Sequence, residues 1–359
     1  MKRHKICKII LAILAVFLCV AFYELIGICI TYKKQPAVSD ATIKETQNIM
    51  SVAGRENTER AVIIEKNSQA LLERVRLIQN AKDEIILSTF AFKSDESGKL
   101  ILGALHGAAD RGVHVRILVD GMESWIDMEG NPYFYGLSSH ENVEIKLYNK
   151  ANPLKPWKTM GRMHDKYLIA DGKIYILGGR NTYNYFLGDF PGHKNFDRDV
   201  LVVCDEPQKD NSVNQLWNYF ETVWEQEDCR YFHNSKKLAD RQSVKKAVLE
   251  LQEGYQQYFE VNKEKICDTD YADETFETEK ITLLSNPIHT QAKEPVVWYQ
   301  LGELMKNAKE RVKIHTPYII CNDMMYNTWE EIAQKVPEFS LMTNSVANNG
   351  NPFGAADYA

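Results

Sequence analysis

Apolar positions along this chain follow three patterns, and each predicts a different kind of element. From Ile9 to Tyr23, and again from Leu25 to Ile30, they run almost unbroken, with only Glu24 between. Together these runs reach the ~20 residues needed to span a bilayer. From Asn67 to Lys82 the apolar residues Leu71, Leu72, Val75 and Ile78 recur at helical spacing, and Lys99 to Arg111 repeats this with Leu100, Leu102, Leu105 and Ala109. Glu84 to Phe92, Val113 to Asp120 and Val143 to Tyr148 are short β-branched and apolar runs that predict strands. Strand alternating with helix predicts an α/β layered domain, a mixed sheet flanked by helices. Asp120 ends its strand next to a loop and is not a catalytic candidate.

The chemistry lies in Met163-His164-Asp165-Lys166-Tyr167-Leu168-Ile169-Ala170-Asp171, continued by Gly178-Gly179-Arg180-Asn181. Tyr167 to Ala170 and Lys173 to Leu177 flank Asp171-Gly172, a two-residue hairpin signal. Side chains alternate on a strand, so His164, Lys166, Leu168 and Ala170 share one face and His164 and Lys166 can address one bound group. Gly178 and Gly179 allow a close backbone approach to a ligand, and Asn181 offers amide donors to a phosphoryl oxygen. Asp171 occupies a position that needs a residue tolerant of left-handed backbone, so it reads as a turn aspartate.

The joint spacing H-x-K-x4-D-x6-G-G-x-N resembles the signature of the phospholipase D superfamily, of the cardiolipin synthase type. The resemblance implies a phosphodiesterase or phosphatidyltransferase in which a motif histidine attacks phosphorus to form a phosphohistidine. A second motif histidine would protonate the leaving alcohol and then activate water or an acceptor alcohol. It assigns catalytic positions to His164, Lys166, Asp171 (mainly structural) and Asn181, and phosphate contact to Gly178 and Gly179. An acidic residue opening the strand after the motif would orient a catalytic histidine; Asp199 is expected there, with Asp197 the alternative. No metal and no cofactor are implied. Ala104-Leu105 and Arg111 to Asp120 also resemble the framework of the family's first half.

Composition changes this picture little. The net charge of −6, with 44% apolar and 26% charged residues, gives no global basic footprint for a nucleic-acid binder. Lys146, Lys150, Lys155, Lys158 and Arg162 precede the motif; they read either as a basic loop at the mouth of a phosphate site or as a solvated loop. Lys2, Arg3, Lys5 and Lys8 before the apolar run predict a cytoplasmic N-terminus, a single-pass cell-membrane anchor rather than a cleaved signal, and an extracytoplasmic catalytic domain. Cys204, Cys229, Cys267 and Cys321 lie outside the anchor, match no zinc spacing, and leave two disulfides or a reduced set equally open.

An internal repeat is visible: Ile78 to Leu87 parallels Met305 to Ile314, 227 residues apart (305 − 78). The expected organisation is therefore a cytoplasmic tail and transmembrane anchor (1–32), a polar tether (33–60) and a first phospholipase D-like domain (61–229). A charged inter-domain segment (230–279), helical in places, and the start of a second homologous domain (280–359) follow. No other His-x-Lys-x4-Asp occurs, so the second half is expected to be incomplete in this sequence and this chain alone inactive. The expected partners are a phospholipid substrate and the membrane, with no nucleic acid. The alternatives are a nucleic-acid phosphodiesterase of the same fold, or a non-catalytic membrane-tethered phosphate-binding protein.

Overall fold

The computed structural model describes residues 2–51 and 59–345. These fall into two units, one of residues 2–33, 59–283 and 288–291 and one of 34–51, 284–287 and 292–345. The chain starts with helix α1 (Lys2–Tyr32), which is long and apolar enough over Ile6–Tyr32 to cross a membrane. Helix α2 (Asp40–Ser51) follows, inside the stretch expected to be a structureless tether. It belongs to the second unit, where Glu294 accepts from the Ser39 amide (2.8 Å) and the Thr42 hydroxyl (2.6 Å).

Among the described residues the first unit holds one nine-stranded sheet. Its strands are β1 (Glu59–Ile64), β2 (Glu84–Thr89), β3 (His114–Asp120), β4 (Val143–Tyr148), β5 (Lys166–Ala170), β6 (Ile174–Gly178), β7 (Asp199–Cys204), β8 (Cys229–Tyr231) and β9 (Phe276–Glu277). They lie in the order β8-β4-β3-β2-β5-β6-β7-β1-β9, with β2, β3 and β4 parallel and every other neighbouring pair antiparallel. The helices are α3 (Asn67–Asn80), α4 (Glu96–Asp110), α5 (Glu123–Met128), α6 (Pro132–Ser138), α7 (Ser212–Trp224) and α8 (Gln242–Cys267). Helix α4 starts where Asp95 accepts from the Gly98 amide (3.1 Å), a cap that satisfies one orphan donor.

Period-two alternation sorts the strands between two apolar layers. Ile85, Leu87, Leu168, Ala170, Leu201 and Val203 face α3, α4 and α8, whereas Ile86, Tyr167, Ile169, Val202 and Cys204 face α7. The mixed α/β sheet flanked by helices is thus the class that the alternating pattern predicts. The charged stretch 230–279, expected between domains, instead gives the first unit α8 and β9. Val244, Leu251 and Ile266 occur at helical intervals and are buried, so one apolar stripe outweighs the charged remainder. The run Ile281 to Leu284 joins no ladder, although Ile281 and Leu283 pack on the α7 layer. All seven cysteines are free thiols, with Cys204 and Cys229 buried.

The second unit continues with α9 (Val296–Lys306), β10 (Arg311–His315), α10 (Asp323–Lys335) and β11 (Glu338–Met342). β10 and β11 pair in parallel, and Val312, Ile332 and Val336 form a small core. The order α9-β10-α10-β11 repeats α3-β2-α4-β3, and β10 opens 227 residues after β2 (311 − 84). This matches the offset of the sequence repeat. The end of the chain's expected second domain, residues 346–359, lies outside the described residues.

The turn between β5 and β6 sets the register of the central hairpin. Asp171 (φ 52°) and Gly172 (φ 61°) both have left-handed backbone, and the Lys173 amide closes the turn on the Ala170 carbonyl at 3.0 Å. The Asp171 carboxylate also accepts from the amides of Lys82 (2.9 Å), Asp83 (2.8 Å) and Glu84 (3.0 Å), clasping the hairpin to the start of β2. We expect Asp171→Ala to destabilise this region by about 1–3 kcal/mol, because three backbone donors lose their acceptor. Asp171→Asn, which keeps a carboxamide oxygen and tolerates the turn, should cost less. Amide hydrogen exchange of β2, β5 and β6 in the detergent-solubilised chain measures this; wild-type protection in Asp171→Ala would rule out the clasp.

Candidate functional site

The motif lies at the end of the sheet where the parallel strands β2, β3 and β4 finish and antiparallel β5 begins, with Lys166 opposite Thr89. Asp120, at the end of β3, fixes the entry to it. Its carboxylate is fully buried and accepts from the amides of Met122, Glu123 and Met163 at 3.0–3.2 Å and from Arg162 at 3.1 Å. Those bonds hold residues 162–163 in place, so that His164 emerges at a defined point.

His164 packs edge-on against Phe90, with ring centroids 4.6 Å apart. One side of the ring is open to solvent, yet the surrounding protein and then the Lys166 charge disfavour its protonated form, lowering its pKa to about 4. At neutral pH it is an uncharged imidazole. Lys166 is buried, donates to the His164 carbonyl at 2.6 Å and lies 5.4 Å from the centre of the Phe90 ring. Burial lowers its pKa to about 8, against the pull of Asp165 and Asp197 in the other direction. The Asp165 carboxylate accepts from Tyr219 at 2.7 Å.

Phe90 to Phe92 were expected to extend β2, but the strand stops at Thr89. The released Ala91 amide donates to Asn181 Oδ1 at 3.1 Å, and Phe92 bridges Thr182. With its oxygen engaged by the backbone, Asn181 has Nδ2 left as its donor. The structure thus brings together His164, Lys166 and Asn181 around the end of β2, and places Asp171 at the opposite end of β5.

Asp199 does not hold His164. Its Oδ2 accepts from Arg74 at 2.9 Å and lies 3.2 Å from Arg180, and its Oδ1 has no hydrogen-bond partner among the described residues. All three side chains are buried. The reason is composition: two arginines brought from α3 and from the motif itself leave a buried carboxylate no lower-energy partner. Asp197, the alternative, stands closer to the motif chemistry, since it acts on the Lys166 charge. The glycine pair also meets groups of the chain itself. A side chain at Gly178 would collide with Asp199, and one at Gly179 with the Asp197 carboxylate. These glycines make room for acids of the chain itself.

The basic residues before the motif are mostly paired. Lys158 bonds Asp228 (2.5 Å), Arg162 bonds Asp120, Lys150 lies 3.9 Å from Glu129, and Lys146 donates to the Trp224 carbonyl. Lys155 is exposed. Arg74, Arg180 and Phe90 were missed as site residues. Arg74 did carry a signal, because it sits three residues after Leu71 and four before Ile78, on the apolar stripe of its helix. A cavity of about 740 Å³ beside α3 and α8, lined by Leu72, Arg76, Phe190 and Tyr258, contains none of the motif residues.

Comparison with known proteins agrees with this geometry. The family model described as "Cardiolipin synthase, PLD-like domain" matches residues 75–224. Cardiolipin synthase C of Escherichia coli K12 is 29% identical over 154 residues, 39% of this chain and 31% of that protein. An uncharacterized protein of Helicobacter pylori strain 26695 is 27% identical over 320 residues, covering 81% of this chain, which spans 60% of that relative's length. The crystal structure of phosphatidylserine synthase from Haemophilus influenzae Rd KW20 shares the fold, with a TM-score of 0.56 at 15% identity over 89% of this chain and 71% of that one. Residues 75–224 are thus a phospholipase D-like domain, similar to that of the cardiolipin synthases.

Proposed function

We propose that this chain takes part in phosphodiester cleavage or phosphatidyl transfer on membrane phospholipid, with His164 as the nucleophile. One observation carries the reading: an imidazole kept neutral beside a buried ammonium, with an anchored carboxamide at the same strand end. Nε2 or Nδ1 of His164 would attack phosphorus, giving a phosphohistidine and expelling an alkoxide. Covalent catalysis of this kind divides one difficult displacement into two easier ones. Lys166 Nζ and Asn181 Nδ2 would hold the phosphoryl oxygens, where charge grows in the transition state. The proton for the leaving alcohol comes from outside this motif, and the family resemblance assigns it to a second histidine. Water as acceptor gives hydrolysis; a lipid alcohol gives transfer.

A lipid substrate fits the membrane-length helix α1 and the cardiolipin synthase-like relatives. The basic residues of the first turns of α1, ahead of the apolar run from Ile9, support an extracytoplasmic domain. The α3-β2-α4-β3 order and its recurrence in the second unit support two homologous halves.

Two outcomes test this reading. With an aryl phosphodiester, whose leaving group departs unprotonated, His164→Ala should abolish turnover and the trapping of an acid-labile, alkali-stable phosphoryl adduct on the protein. Lys166→Ala should lower turnover by about 10²–10³-fold, the usual cost of one preorganised donor. Turnover within a few-fold of wild type in either variant would remove that residue from the mechanism. The pH dependence has a definite sign. His164 stays unprotonated from about pH 4 upward, while Lys166 loses its charge as pH rises through about 8. kcat/KM, which reports the free enzyme, should therefore hold through neutrality and fall above about pH 8. A profile still rising from pH 8 to 10 would exclude charged Lys166 as the phosphate ligand.

A further inference from the structure

The loops at the motif's end of the sheet carry apolar side chains into solvent. Ile126 on α5 is 80% exposed, Leu154 77% and Phe196 80%, and Trp125, Trp157 and Met160 are exposed as well. They come from three connections, after β3, between β4 and β5, and before β7, all of which open at this one end. Two of the connections touch: the backbone at Gly121 abuts Lys150, and Glu129 lies 3.9 Å from the Lys150 ammonium. Ser124 on α5 in turn meets the carbonyl of Phe90, the residue packed on His164. A grouped apolar rim of this kind marks a binding surface, whereas single exposed apolar residues do not.

Helix α1 identifies the occupant. Tyr23 Oη donates to the Leu154 carbonyl at 3.1 Å, and a side-chain carbon at Gly27 would sit 2.6 Å from Pro156. Residues 23–27 of α1 therefore lie directly against the loop 154–157. The apolar span Ile6–Tyr32 has 27 residues. At 1.5 Å per residue it is about 40 Å long, roughly 10 Å more than a hydrocarbon core. With its first turns at the opposite boundary, the span leaves the hydrocarbon about seven residues before Tyr32, which is where the loop meets it. Tyrosine suits that boundary. Charge is secondary, because most of the neighbouring basic groups are already paired within the fold.

We propose that Trp125, Ile126, Leu154, Trp157, Met160 and Phe196 form a rim that inserts into the interfacial layer of the membrane spanned by α1. The rim surrounds the strand end that holds His164, so a headgroup phosphate reaches the imidazole without the lipid leaving the bilayer. That last consequence rests on the function proposed above; the insertion itself does not, and its test reads no turnover.

The experiment is tryptophan quenching in the full chain, reconstituted into phosphatidylcholine–phosphatidylglycerol nanodiscs with brominated acyl chains. The chain has six tryptophans, at 125, 157, 217, 224, 298 and 329, and none lies in α1. Bromolipid should quench a fraction of the emission, and the Trp125→Phe/Trp157→Phe variant should lose most of that fraction. Ile126→Glu with Leu154→Glu, both at exposed positions, should cut wild-type quenching at least twofold while circular dichroism stays unchanged. An unquenched wild type would overturn the proposal, as would a double phenylalanine variant quenched as strongly as wild type. A blue-shifted but unquenched emission would mean that protein, such as a second copy of this chain, covers the rim, and would also overturn it.

Discussion

The motif's end of the sheet depends on one buried charge cluster, Asp199 between Arg74 and Arg180. Arg180 also donates to Asn67 Oδ1 and to the carbonyls of Ile64, Glu65 and Asp197. That single guanidinium ties the end of β1, the start of α3, the exit from β6 and the approach to β7 into one knot. Breaking such a buried pair by removing one partner typically costs about 3–5 kcal/mol, because the other charge stays desolvated and alone. Asn181 follows Arg180 directly, so the position of its carboxamide is inherited from this knot.

Partial desolvation acts on exposed His164 and buried Lys166 in the same direction but with opposite consequences. In the reaction proposed above the imidazole must be uncharged to attack, and desolvation favours that form. The ammonium must be charged to hold a phosphoryl oxygen, and desolvation works against that. The residues pulling Lys166 back are acids, Asp165 and Asp197, and an arriving phosphodiester would add a further negative charge. Under the proposed function, a bound phosphodiester would add to the pull of these two acids on the lysine's proton.

What was legible in the sequence was local. The hairpin turn followed from Asp171-Gly172, the strands and helices from their apolar periods, and the repeated α-β-α-β order from two ten-residue segments. The parts that were not legible depend on partners distant in the chain. Asp199 opens its strand as the pattern suggests, but Arg74, 125 residues earlier, takes its carboxylate. The acids for which the glycine pair makes room, Asp197 and Asp199, come from β7 and the approach to it, beyond the reach of a local reading. Helix α8 looked like a linker because charged residues outnumber its buried stripe, and only packing against α4 shows which of its faces matters.

The spacing of the motif acquires a mechanical meaning from β5. Lys166 opens that strand at the site, and Asp171 follows its last residue, Ala170, at the far edge of the sheet. Four residues between them are what it takes to cross the sheet at ~3.3 Å per residue, roughly 16 Å in all. The lysine and the aspartate never meet; they are the two ends of a ruler. Lengthening or shortening that ruler by one residue would leave every motif letter in place, yet turn the lysine into the layer under α7, because a one-residue slip exchanges the two faces of a strand.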